Sequence, residues 1–158
     1  DLGAPQNRIR MFLVLTRSNA PLKLSLPKFT HKPASSFINF DGGNWQPVEK
    51  PGRAQSTLDR VRAGRAAHGD QFVMAFYGNT KTGRSLSRPI GTITTRDRWA
   101  VVDGNRMRML TRFECRDAMS FPASYQLPDN HRLAVHLMGN AVCPEPVKHI
   151  IQAVKEAA

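Results

Sequence analysis

The stretch that most constrains this chain is residues 106–142, because it carries its own start and stop signals. Thr111 followed three residues later by Glu114 is a capping box. The Thr hydroxyl accepts one orphan helix N–H, and the Glu carboxylate reaches back for another. Cys115, Ala118 and Met119 then fall on one side of a short helix. Phe121-Pro122 is expected to stop it, since the residue before proline is pushed out of the helical region. A second helix is predicted over 131–138, closed by a Gly139-Asn140 turn, two residues that tolerate left-handed backbone. A third begins near Pro144 to Pro146, where proline suits the first helical turn. Val147, Ile150, Ile151 and Val154 give it one apolar stripe.

The 158 residues bound the chain at one or two domains, enough for a real core. A formal net charge of +11 makes acidic polymers the natural partners, nucleic acid first and an anionic membrane second. No apolar run is long enough to span a bilayer, and no basic segment has the continuous apolar face of an interfacial helix. Cys115 and Cys143 make no disulfide framework, which points to a reducing cytosolic setting. The five histidines are scattered and neither cysteine belongs to a C-x-x-C pair, so no metal site is expected. The chain opens at Asp1 as if inside a domain, and is read as a piece of a larger or split protein.

Taken in order, residues 10–15 form a short apolar run that fits a buried strand. Ahead of it Gln6, Arg8 and Arg10 alternate, so an extended chain turns all three to one face. An amide and two guanidiniums there can hold phosphate, carboxylate or a base edge. The plainer alternative is a solvated strand entry. Residues 18–52 are rich in Pro, Lys, Ser and Gly and read as loops, with a short strand at 37–40. Trp45 is either a stacking platform for a base or a pin for its own loop. A helix is expected over 56–69, with Ser56 and Asp59 as a cap-like pair. Gly64 weakens it by roughly 1 kcal/mol. Its arginines (Arg53, Arg60, Arg62 and Arg65) are either solvated or on phosphate.

Residues 71–77 read as a strand with Phe72, Met74 and Phe76 on one face. Gly78-Asn79 and residues 81–84 form a basic loop. Residues 92–98 are expected to be extended, 99–102 to continue as a strand, and Asp103-Gly104 to turn towards 107–110. Hydroxyls and guanidiniums on one segment suit phosphate and base-edge contacts. The candidate DNA contacts are Lys81, Arg84, Arg88, Thr92, Thr94, Thr95, Arg96 and Arg98.

Three blocks carry a resemblance. Gln6-Asn7-Arg8-Ile9-Arg10 resembles the Gln-x-Arg-x-Arg block of DNA cytosine-5 methyltransferases. The set Leu110-Thr111, Glu114-Cys115, Phe121-Pro122 and Tyr125 resembles that family's penultimate block. Gly139-Asn140-Ala141-Val142 resembles the last. Thr92-Ile93 is similar to a small signature in the family's middle region. Phe113, Asp117 and Ser120 stand where the family often has Arg, Arg and Gly, and Ala141 where some members have Ser.

The resemblance implies an α+β chain: a small mixed target-recognition domain, plus a strand and C-terminal helices that complete an α/β methyltransferase domain. The implied divisions are 1–20 (catalytic-domain strand), 21–105 (target recognition), 106–138 (second block and connecting helix) and 139–158 (Gly-Asn turn and final helix). It implies that Arg10 contacts the flipped cytosine, with Arg8 and Gln6 supporting. Asn140, Ala141 and Val142 would lie against S-adenosylmethionine. The implied partners are duplex DNA and an N-terminal catalytic half, attached or separate, in the cytoplasm and on the nucleoid. The family's Pro-Cys-Gln nucleophile loop, Glu-Asn-Val block and Phe-x-Gly-x-Gly turn are not in this sequence; in the usual order they precede the Gln-x-Arg-x-Arg block. This stretch alone is therefore expected to be inactive. Three alternatives stay open: a catalytically inactive DNA-binding module, an RNA-directed relative, and an unrelated basic protein such as a ribosomal component.

Overall fold

The structure, a computed structural model, describes residues 2–17, 20–77 and 80–157. At its centre is an antiparallel sheet of β1 (Gln46–Pro47), β2 (Gln71–Ala75), β3 (Arg84–Ser85), β4 (Trp99–Asp103) and β5 (Arg106–Met109). The strand order is β1-β5-β4-β2-β3. Helix α1 (Gln55–His68) covers one face; α2 (Arg112–Ala118) and α3 (His131–Asn140) serve the other. Helix α4 (Pro144–Ala157) follows. The chain is α+β, as its sequence implied.

Alternation in the strands creates two cores. Phe72 and Met74 of β2, Ala100 and Val102 of β4 and Met107 of β5 pack with Val61 of α1. Val73, Ala75, Trp99 and Val101 point the other way, to Leu110, Cys115, Ala118, Met119, Val135 and Met138. The β4–β5 hairpin turns at Gly104, whose φ is 54°, and its register pairs Asp103 with Arg106. Position 105 thus lies inside a hairpin of one continuous sheet.

Helix α2 starts as its sequence dictates. The Thr111 hydroxyl accepts from Glu114 N and the Glu114 carboxylate accepts from Thr111 N, a complete capping box. It ends earlier than the Phe121-Pro122 stop: Ser120 has φ 58°, the one positive-φ residue other than glycine among the described residues. The position where the resembled family often has glycine thus takes left-handed backbone in this chain, with a side chain that disfavours it.

Several expectations are corrected. Residues 10–15 form no strand among the described residues; Met11 and Leu15 are 91% and 83% exposed. A strand needs a partner for its main-chain groups, and none is supplied here. Phe37 and Ile38 are buried but follow a 3-10 turn (Ala34–Ser36) instead of forming a strand. Helix α1 has Ala54 as its N-cap and no side-chain cap, so Ser56 is inside it. Gly64 is there for packing: a Cβ would come 2.4 Å from the Phe72 ring. Residues 92–98 are irregular, not extended. The apolar stripe of α4 is only half covered, with Ile151 exposed and Ala153 buried. The Gly78-Asn79 turn lies outside the described residues.

Gly139-Asn140 is not a turn. Both residues belong to α3, which is capped at Ala141. Gly139 is needed for close approach. A Cβ there would lie 2.3 Å from the Thr94 carbonyl carbon and 2.3 Å from the Thr95 nitrogen. Absence of a side chain, not backbone freedom, lets the helix seat on that loop.

Candidate functional site

The segments singled out by sequence meet at one junction. Gln6 is buried; its Nε2 donates to Met119 Sδ and its Oε1 accepts from Ile93 N at 3.1 Å. Main chain reinforces this: Asn7 N donates to Ile90 O at 2.8 Å, and Ile90 N to Pro5 O at 3.0 Å. The Arg8 guanidinium then donates from Nη2 to Gly139 O at 2.9 Å and from Nη1 to Ile93 O at 3.3 Å. The Thr92 hydroxyl donates to Asn7 O at 3.0 Å. Trp99 Nε1 donates to Thr92 O at 3.1 Å, fixing the loop to β4. Residues near 6, 93, 119 and 139 are thereby locked together.

Arg10 is not part of that lock. It is exposed, and its hydrogen bond is to the neighbouring Ile9 O at 3.1 Å. Gln6 and Arg8 join the lock while Arg10 does not, because the chain leaves its isolated bridge to Ile90 after Asn7 instead of continuing as a strand.

Asn140 projects beside Gly139 and is exposed; its Nδ2 lies 3.0 Å from His136 Nε2. Ala141 is half-buried and Val142 is 50% exposed. An amide with its oxygen unengaged and an exposed branched side chain fit one wall of a cofactor site. They do not enclose one, so further residues would have to complete it.

The candidate DNA contacts divide into two kinds. Arg98 is half-buried and donates to Phe76 O at 2.9 Å, which closes the loop before β4. Thr94 donates its hydroxyl to Arg96 O at 2.8 Å, and Thr92 is spent on Asn7. Thr95 is half-buried. Lys81, Arg84, Arg88 and Arg96 are exposed, Arg84 lying 5.8 Å from the Trp99 ring centroid. The arginines around α1 are structural: Arg53 donates to Val48 O and Pro47 O, Arg60 to Thr80 O and Ala75 O, and Arg65 to Gly104 O. Arg62 pairs with Asp59. Trp45 is likewise a pin, with Nε1 on Phe40 O and the Arg106 and Arg108 guanidiniums over its ring.

Sequence reading missed the strongest polar feature. Arg108 and Glu114 form a bidentate ion pair, 2.7 Å at both contacts, with side chains 1% and 3% exposed. Arg108 Nη2 also donates to Asn39 O, and Glu114 accepts from Asn39 N. The pair joins β5, α2 and the 39–43 turn. The signal was present: an arginine on the inward face of a predicted hairpin requires a carboxylate nearby. Asp97, paired with His131 at 3.0 Å, was also missed. Burial holds its carboxyl above the usual range, and His131 pulls it partly back.

Neither thiol is placed as a nucleophile. Burial, then the Asp97 and Glu114 charges, push the Cys115 thiol far up. Burial also raises Cys143, whose Sγ donates to Met119 O at 2.9 Å. Thiolates react and thiols do not. Among the described residues no group of three or more His, Cys, Asp or Glu side chains is placed to hold a metal ion, and no helix is long and apolar enough to cross a membrane.

The blocks that resemble cytosine-5 methyltransferases in sequence are thus blocks that touch in space. Their class is that of DNA methylases. Residues 1–156 match the C-5 cytosine-specific DNA methylase family, and the chain belongs to that family. A search of curated proteins finds no match.

Proposed function

We propose that this chain is the C-terminal, DNA-reading and base-holding part of an S-adenosylmethionine-dependent DNA cytosine-5 methyltransferase. One observation carries the reading: Arg8 donates to both Ile93 O and Gly139 O, tying the Gln-x-Arg-x-Arg block to the Thr-Ile signature and to the final block. Exposed Lys81, Arg84, Arg88 and Arg96 meet backbone phosphates, so affinity falls as salt rises. The 92–98 loop and its neighbours read the groove, and the target cytosine leaves the stack. Arg10, whose guanidinium bonds only Ile9 O among the described residues, holds the base carbonyl. Arg8 and Gln6 are positioning residues, since Arg8 Nη1 and Nη2 and Gln6 Nε2 are bonded within the fold. Asn140, Ala141 and Val142 face the cofactor, which supplies an electrophilic methyl group when bound.

The attacking thiolate comes from a catalytic half, attached or separate. Residues 9–15 support this partner. Within them, residues 11–15 are apolar on both faces and largely exposed, and the whole run makes no main-chain hydrogen bonds within itself or to the rest of the chain among the described residues. Such a run suits a strand buried on both faces of a parallel sheet.

The test is Arg10→Ala in the complete enzyme. Methyl transfer should be abolished while duplex binding stays largely intact; unchanged turnover removes the base-holding role. Exchange of 21–105 for a relative's segment should change the methylated sequence. Competition between duplex DNA and transfer RNA separates this reading from an RNA-directed one.

A further inference from the structure

Most arginines of this chain are spent on its own carbonyls and carboxylates, which makes the uncommitted ones informative. Two of them, Arg96 and Arg132, share one cleft. It has a volume of about 460 Å³ and is lined by Thr95, Arg96, Asn130, Arg132, Leu133 and His136. One wall is the 94–96 loop and the other is the outer face of α3. Neither guanidinium has a hydrogen bond or ion pair among the described residues. No carboxylate of the described residues lines the cleft. Two carboxylates adjoin the lining residues in sequence: Asp97 pairs with His131 and faces a different hollow, beside Arg108 and Thr111, and Asp129 pairs with Arg112 at 2.9 Å.

The walls are held in place without a ligand. Gly139 seats α3 directly on the Thr94–Thr95 main chain, and the Thr94 hydroxyl pins Arg96 O at 2.8 Å. Asn130 caps α3 by accepting from Leu133 N at 3.0 Å. Two unpaired guanidiniums on rigid walls repel each other unless an anion lies between them, and the fork geometry of Arg matches an oxyanion.

We infer that this cleft seats one backbone phosphate of the duplex, so that α3, and not only the 21–105 segment, contacts DNA. This rests on the DNA-binding reading above. The phosphate position is read irrespective of sequence, because phosphate contacts carry register and not base identity.

The test is a salt titration of duplex binding by the chain, followed by fluorescence anisotropy, for wild type, Arg96→Gln/Arg132→Gln and Arg96→Lys/Arg132→Lys. Both side chains are exposed and unbonded, and thermal unfolding checks that the variants fold. One lost phosphate contact lowers the slope of log affinity against log salt by about 0.9. The affinity drop between 50 and 200 mM salt then shrinks about 3.5-fold. The Gln pair should show that loss equally on two unrelated duplexes, and the Lys pair should keep the wild-type slope. A wild-type slope in the Gln pair overturns the site while leaving DNA binding in place. So does a Gln pair whose defect appears with S-adenosylmethionine and not with DNA, since the anion would then be a carboxylate. If the wild-type chain shows no salt-dependent duplex binding, the reading under Proposed function falls, and this site with it.

Discussion

Arg8 donates to the main-chain carbonyl of Gly139 at 2.9 Å, across 131 positions of sequence. The same guanidinium reaches Ile93 O, and Gly139 itself rests on Thr94 and Thr95. One side chain and one missing side chain therefore hold together three segments that are far apart along the chain. A charged donor on a carbonyl contributes on the order of 1.5–3 kcal/mol, more than an ordinary hydrogen bond.

Gly139→Ala should be costly although the site is helical and alanine is the better helix former. Its methyl would need space now held by the Thr94 and Thr95 main chain, 2.3 Å away. Overpacking of this kind costs about 1–3 kcal/mol or more. Urea unfolding should show the lower midpoint. A midpoint equal to or above wild type would mean that α3 does not sit on this loop.

Removing one member of the Arg108–Glu114 pair should cost about 3–5 kcal/mol, since the other charge stays buried. Arg108→Met combined with Glu114→Leu should recover part of that loss. Recovery is incomplete because Asn39 N and Thr111 N lose their acceptor. Strictly additive single effects in the double-mutant cycle would argue against a coupled pair.

Ser120→Gly should stabilise the chain by about 1 kcal/mol, because a left-handed conformation costs a side-chain-bearing residue roughly that much. Ser120 has φ 58°. Chemical denaturation of the two proteins side by side measures it, and a lowered midpoint would show that the hydroxyl matters more than the backbone.

Asp97 gives a pH signature. Its folded carboxyl is raised by burial, so the native state binds the proton more tightly than the unfolded state. Stability from this group is therefore greatest when it is protonated. It falls as pH rises from the ordinary carboxylate range through the raised value. Asp97→Asn mimics the protonated form, so its stability relative to wild type should rise with pH through that window. A difference that is constant from pH 3 to pH 7 would contradict the assignment.

Local chemistry made part of this molecule legible before folding. The Thr111–Glu114 cap needs only four consecutive residues, and the alternation of 71–75 and 99–103 sorts side chains between two faces whatever covers them. The net charge of +11 pointed to an acidic polymer as partner, and the resemblance of the blocks around Arg8, Glu114 and Gly139 carried the family. What the sequence could not decide was anything requiring a distant neighbour. The 10–15 run reads as a strand, yet a strand forms only where another supplies hydrogen bonds, and the described chain offers none.

Gly139 looked like a turn residue because glycine's local property is backbone freedom; its use here is close approach, which depends on Thr94 lying against it. Identical arginines separated into fastened and free ones according to whether a carbonyl stood within reach: Arg98 found Phe76 O, while Arg96, two residues earlier, found no partner among the described residues. Composition set how much charge the chain carries, and tertiary packing alone decided which of it was left for a ligand.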